Sequence, residues 1–526
     1  MKNKITIFAT IAAASAAFAS CDKFLDTLPD NRAEVDTINE VYSILGSAYP
    51  DHDYILVTEL LADNLDNYEI SYPKTNRFID EVWAWKDVTE TNNQSPENIW
   101  GAFWGAISNA NQALEAIDNM GGIQTVPELK EAYGEALIAR AYSHFILVNV
   151  FCKTYSPKTS SKDLGLPYMT APEKGFNPQY ERGNVADFYA RIEADLEEGL
   201  KYVGDSHYSV PKYHFTVAAS YAFATRFYLF YQKWDKVVEY AGKCLGNAPE
   251  SMLRDYKYLG TLPSDPLKVG YEYVSSKSKA NLLLQTSFST HRNLFSNYSA
   301  WAQYSHGSYL SKTETLTAGN VWGNEGSFFS SPKTYTGSMD RIIFWRVPMM
   351  FEYTDPVGGT GYNKSIFPLL TTDECLLNRA EALVMQEKYD EACADLNLWV
   401  HNIHSTTTVL TPAMIQEFYN AVEYSTWQNG TVKKHLNPDF TIDEEGSLQE
   451  TMLQCVLGFK RIENMSLGLR WFDVNRYGIE IYRRYMKADG TPDHISDTLT
   501  KDDPRRAVQI PQRVLDAGFE ANPRKK

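Results

Sequence analysis

The sequence predicts a largely helical scaffold of tetratricopeptide-like hairpins broken by long insertions. Apolar or small residues recur at three- and four-residue intervals over long stretches, the period of an amphipathic helix. The pattern Lys-aromatic-Asp occurs twice between such stretches, as Lys233-Trp234-Asp235 and Lys388-Tyr389-Asp390, each followed by a second amphipathic segment. From about Asn247 to Pro368 the composition changes to Gly, Ser, Thr, Asn and aromatics, with too many polar breaks for one continuous helix.

The chain opens with Lys2 and Lys4, an apolar run from Ile5 to Phe18, and Phe18-Ala19-Ser20-Cys21. This reads as a signal peptide over residues 1–20 that ends on a lipobox, with the Cys21 thiol as acceptor of the lipid. The run is too short to span a bilayer, which takes about 20 residues. The mature body, 21–526, loses two lysines on cleavage, taking the formal charge from −16 to −18. So acidic a chain, with Lys/Arg clustered only at Arg524-Lys525-Lys526, disfavours nucleic acid as a partner.

Ile107, Asn111, Leu114 and Ile117 share one helical face; Tyr133, Leu137, Ala141, His144 and Val148 share another. Ala218, Ala222, Thr225 and Leu229 form a stripe narrow enough for close helix contact. Asp235 and Asp390 are the expected caps of the second helices of their hairpins. A third unit runs from Trp100 through Ile117 and pairs with a helix over 128–150. The units are far apart in sequence, so tertiary folding must stack them. The body divides into an N-terminal part (21–246), an aromatic insertion (247–368) and a C-terminal part (369–526). Cys152, Cys244, Cys375, Cys393 and Cys455 sit among apolar neighbours as structural thiols, with a Cys375–Cys393 pair left open.

An ordered series of motifs runs from Cys21-Asp22-Lys23-Phe24-Leu25-Asp26 and Leu28-Pro29-Asp30, through Trp100 to Ile117, Gly134-Glu135-Ala136 and Arg140-Ala141-Tyr142. It continues over 185–196 and 218–245 to Gly468-Leu469-Arg470-Trp471-Phe472-Asp473, Asp503-Pro504-Arg505-Arg506, Ile510-Pro511 and Asn522-Pro523. The series resembles the SusD/RagB family of nutrient-uptake outer-membrane lipoproteins of Bacteroidetes. Phe459-Lys460 and Leu467 depart from the family pattern, at positions suited to packing and ion pairing. The resemblance implies an all-α fold with four tetratricopeptide-like units, an irregular ligand-binding half, and a lipid-anchored place on the cell surface. It also implies capture of a glycan ligand and docking on a SusC-like TonB-dependent transporter, without catalysis.

Sugar capture needs flat apolar faces for pyranose C–H surfaces and planar polar groups for hydroxyls. The candidate stacking residues are Trp83, Trp85, Tyr298, Trp301, Tyr304 and Trp322, with Arg77, Arg292 and Asn293 as hydrogen-bonding partners. The Trp471-Phe472-Asp473 string reads as structural. Asp63, Asp66, Glu374 and Glu381 are the carboxylates to weigh for a hydrolase, though a glycosidase needs two at a defined separation. His144, His214, His291 and His306 have no metal-ligand spacing, so no cofactor is expected; Asp63-Asn64-Leu65-Asp66-Asn67 admits a structural calcium, with a helix-terminal turn as the plainer reading. The alternatives to glycan capture are a secreted carbohydrate-active hydrolase and a peptide- or protein-binding assembly protein.

Overall fold

A computed structural model describes residues 35–71, 76–92, 94–173, 179–295, 303–323, 327–335 and 340–525. Its principal helices are α1 (Ile38–Leu45), α2 (Ile55–Leu61), α3 (Arg77–Trp83), α4 (Pro96–Asn119), α5 (Lys130–Phe151), α6 (Val185–Gly199), α7 (Val217–Phe230) and α8 (Trp234–Leu245). After the insertion come α9 (Thr372–Met385), α10 (Tyr389–Ile403), α11 (Pro412–Ala421), α12 (Leu448–Glu463) and α13 (Arg470–Arg476). Several starts are written in the sequence: the hydroxyls of Ser95, Thr216, Thr371 and Ser447 accept backbone N–H groups of the first turns of α4, α7, α9 and α12.

Helices pack in chain order, α4 on α5, α5 on α6, α7 on α8, and α9 on α10, and α8 meets α9 across the whole insertion. The separated hairpins thus stack as the sequence requires. Helix α5 is their centre, buried on every side from Gly134 to Phe151. At Gly134 the turn after α6 comes so close that a Cβ would lie 2.3 Å from the Val203 backbone nitrogen, so only glycine fits.

The two Lys-aromatic-Asp turns are built alike. Gln232 and Glu387 take left-handed conformations (φ 62° and 59°), and Lys233 and Lys388 N–H donate to the carbonyls of Tyr228 and Leu383. This is the Schellman ending of a helix, made here without glycine. The expected caps are corrected: Lys233 and Lys388 occupy the N-cap positions without side-chain bonds, and Asp235 and Asp390 fall inside the first turn. There they act through charge on the helix dipole.

The expectation of an all-α fold with an irregular insertion is also corrected. Among the described residues the insertion holds four short α-helices, Tyr256–Thr261, Pro266–Tyr273, His291–Phe295 and Ser308–Glu314, and strands β2 (Asn281–Phe288), β3 (Tyr304–Ser305), β4 (Lys333–Tyr335), β5 (Arg341–Ile343), β6 (Met349–Asp355) and β7 (Thr360–Thr371). With β1 (Asp66–Asn67), β8 (Ile481–Met486) and β9 (Pro492–Leu499) these form sheets ordered β3-β1-β8-β9, β2-β7-β6 and β4-β5. The signal was present at the β6–β7 turn, Asp355-Pro356-Val357-Gly358-Gly359, where Asp355 accepts from Val357 and Gly358 N–H and Gly359 takes φ 67°. Strand β7 runs straight into α9, its last residue Thr371 serving as the helix cap.

The five cysteines that follow Cys21 are buried and unpaired, Cys375 and Cys393 included. Burial pushes the Cys393 thiol up to about 12, as expected of an inert structural group. Glu387 is exposed, so Glu387→Gly relieves the left-handed strain at little other cost; it is expected to raise unfolding free energy by about 1 kcal/mol in denaturant titration.

Candidate ligand-binding site

Helix α3, capped by Asn76, brings together three of the aromatics singled out in the sequence. Trp83 lies 4.8 Å from Tyr304 between ring centroids, and the Arg483 guanidinium sits 5.0 Å from the Trp83 ring and 3.8 Å from the Trp85 ring. Arg483 also donates to the carbonyls of Leu60, Leu61 and Ala62, closing the C-terminus of α2. Each aromatic hydrogen-bonding group is engaged: Trp83 Nε1 donates to the Leu65 carbonyl, Trp85 Nε1 to that of Leu61, and the Tyr304 hydroxyl to Asp80 at 2.6 Å.

These rings are buried. Trp83, Trp85, Tyr304 and Trp322 are 1%, 3%, 4% and 3% exposed, so they build walls and offer no open face of their own. Core packing is the commoner fate of large aromatics. Trp322 is not part of the α3 group; it packs on Phe459 and Trp399 at 5.2 and 6.3 Å. Arg77 is exposed and pairs with Glu81 at 2.9 Å, with Thr89 as a further acceptor. Arg292 lies partly buried on the short helix His291–Phe295. Cys21, Tyr298, Trp301 and the Asn293 side chain fall outside the described residues.

Trp85 nevertheless forms one wall of a cleft of about 220 Å³. Its backbone is held in the left-handed region (φ 53°), a strain of roughly 1–3 kcal/mol that its packing must outweigh. The cleft lies between residues 82–97 and the C-terminal segment 505–524. Asp87, Thr91, Arg505, Gln509 and Arg524 supply carboxylate, hydroxyl, amide and guanidinium groups along its walls. Arg505 is 5.7 Å above the Trp85 ring and is oriented by Asp497 and Asp503, while Arg524 is held by Asp87 at 2.7 Å. The C-terminal contribution escaped sequence reading because Asp503-Pro504-Arg505-Arg506 was seen only as a motif; its place beside Trp85 is tertiary.

The carboxylates weighed for catalysis are all tied to cations. Asp63 pairs with Arg470 at 2.8 Å, Asp66 with Arg484 at 2.9 Å, Glu374 with Arg226, and Glu381 with both Arg476 and Lys460 at 2.6 and 2.7 Å. The Asp63–Asn67 segment leads from the end of α2 into strand β1, and its acids already face guanidinium groups, a poor setting for calcium. Among the described residues no cluster of His, Cys, Asp and Glu has metal-ligand geometry. Lys460, one of the departures from the family pattern, joins Glu381 to Asp473, and Phe459 stacks on Trp399 at 4.5 Å. The Arg470–Asp473 string is structural, as its sequence suggested.

The architecture is that of a helical-hairpin scaffold bearing clefts with polar groups along their walls. Residues 23–229 match the model of a SusD-like family described as starch-binding and associating with the outer membrane. No curated protein matches the chain. Among solved structures, a SusD superfamily protein from Bacteroides thetaiotaomicron is similar at 16% identity and TM-score 0.63, over 93% of this chain and 100% of that one. A SusD superfamily protein from Bacteroides vulgatus matches at 18% and 0.60, over 94% and 100%. A SusD-like carbohydrate-binding protein from the same species matches at 14% and 0.54, over 91% and 96%. At these identities the solved structures establish the fold, and the family model is matched over the N-terminal part of the chain.

Burial pushes the Glu381 carboxyl up, but Arg476 and Lys460 outweigh it and hold the group down at about 2 against an ordinary value of 4.5. A depressed carboxyl stabilises the fold above its unfolded value, and that stability is lost as pH falls toward the folded value. Thermal stability is therefore expected to fall as pH drops from about 4.5 toward 2. Glu381→Gln should cost about 3–5 kcal/mol near neutrality, since it leaves two buried cations short of a partner, and should flatten the acid dependence.

Proposed function

We propose that the chain captures a glycan at the cell surface without catalysis and passes it to a SusC-like TonB-dependent transporter. The observation that carries the reading is the cleft beside Trp85, where a rigid aromatic wall is surrounded by planar polar groups on a SusD-superfamily fold. Carboxylate, amide and guanidinium groups satisfy sugar hydroxyls, and the indole supplies a flat apolar boundary. At about 220 Å³ the cleft falls below the roughly 300–1,000 Å³ usual for enclosed ligand sites. It suits one ring or chain end held weakly, which favours handover. The solved relative named as a carbohydrate-binding protein supports the same ligand class.

Cys21 is the proposed lipid tether, and the outer membrane the proposed location, with the body facing outward. The family model's association with that membrane supports this, and no described helix is long and apolar enough to cross a membrane. Tyr298 and Trp301 are kept as proposed stacking residues, and Arg77, Arg292 and Asn293 as proposed hydrogen-bonding residues.

A glycan panel with calorimetry on the purified chain tests the reading. At least one oligosaccharide should bind, no new reducing ends should appear on incubation, and Arg505→Ala should weaken binding about tenfold, or 1.4 kcal/mol. Unchanged affinity in a folded Arg505→Ala chain removes the Trp85 cleft from the assignment. Released reducing ends would favour the hydrolase, and binding of peptides alone the assembly protein.

A further inference from the structure

Helix α4 and the short helix Gln512–Asp516 line more than the Trp85 cleft. Pro96, Glu97, Gln512 and Leu515 face that cleft, whereas Trp100, Trp104, Ser108 and Val514 line a second one of about 290 Å³. Its aromatic residues, Trp100, Trp104, Tyr180 and Phe519, are half-buried, unlike the sequestered rings around α3.

The i, i+4 spacing of Trp100 and Trp104 puts both on one face of α4, with centroids 5.6 Å apart and planes at 58°. Each ring is fixed from behind: Trp100 meets Phe151 edge-on at 5.1 Å and Phe519 at 5.9 Å, and Trp104 meets His144 at 5.6 Å. The wall of Phe519 is equally built, because buried Arg182 lies 5.7 Å from its ring and donates to Glu520 and Asn522. Opposite, Asn111 holds the carbonyls of Met169 and Ala171, and the Tyr180 hydroxyl donates to Glu173 at 2.5 Å. Trp104 Nε1–H is enclosed and has no acceptor among the described residues.

We propose that this cleft is a second saccharide seat, taking one ring of a neutral hexose. The inference rests on the glycan-binding reading above and names the sugar class. Two tilted indole faces, a phenyl ring and a phenol ring match the apolar side of a pyranose, and the Glu173–Tyr180 pair can bridge neighbouring hydroxyls. A wholly apolar ligand would strip water from the exposed Glu173 carboxylate without replacing it, at about 1–3 kcal/mol. Glu173, on a chain of formal charge −16, repels a uronic acid.

The test is ¹⁹F NMR of the full chain labelled with 5-fluorotryptophan, with Trp85, Trp100 and Trp104 resonances assigned by Trp→Phe substitution. The probes are methyl glucoside, methyl galactoside, methyl mannoside and methyl glucuronide. At least one neutral glycoside should move the Trp100 and Trp104 resonances saturably, and the glucuronide should move neither. Phe519→Ala should weaken that response about tenfold, and Glu173→Gln should admit the glucuronide. Trp100 and Trp104 unmoved by all three neutral glycosides overturns the second seat, as does a glucuronide response equal to the neutral one in the unsubstituted chain. A shift of Trp85 alone leaves the proposed function standing and sinks this inference; a shift of Trp100 and Trp104 alone does the reverse for the Trp85 cleft.

Discussion

One buried carboxylate fastens the insertion to the scaffold. Glu314, from the insertion, accepts from Lys434 at 2.6 Å, Arg484 at 2.7 Å and Arg461 at 3.0 Å. Those cations reach further: Arg461 donates to Asn64 and the Asp63 carbonyl, and Arg484 to Asp66. Burial alone would push Glu314 up, but Arg484, Lys434 and Arg461 outweigh it and hold the group well below its ordinary value. Such pairs add little net stability over apolar substitutes, yet any displacement would strand a bare charge in a low-dielectric interior. The network therefore sets register. It places β1 between β3 and β8, which is why residues near Asn67, Tyr304 and Tyr485 share a sheet although they come from three distant parts of the chain.

That constraint explains which parts of the fold were legible. The hairpins were, because Lys-aromatic-Asp turns and three- and four-residue periodicity are local properties. The stacking of α8 on α9 was legible only as a necessity, since nothing in either helix names its partner. The strands of the insertion were hidden by composition: the aromatic and β-branched residues of β7 lie among Gly, Asn and Lys, and the expectation of irregularity outweighed the turn signal at Asp355–Gly359.

The candidate site was legible in part for a similar reason. An aromatic in a polar segment has no period by which to sort wall from face, so Trp83, Tyr304 and Trp322 were indistinguishable from exposed stackers until their neighbours were known. Conversely Trp100 and Trp104 looked like helix packing, because their spacing is that of a buried stripe. What leaves them half-open is the shape of the cover over them, made by the C-terminal segment around Val514 and Phe519.

That same segment carries a consequence for binding. Residues 505–524 wall both clefts, and Arg182, Asp87 and the Asn522 contact to the Phe151 carbonyl hold the segment against the N-terminal part. Two shallow seats on one rigid wall can engage separate rings of a single oligosaccharide, so the second contact forms at the high effective concentration set by the first. Each seat alone releases quickly while the pair retains the chain. Under the proposed function, weak individual contacts thus become compatible both with capture and with release one ring at a time.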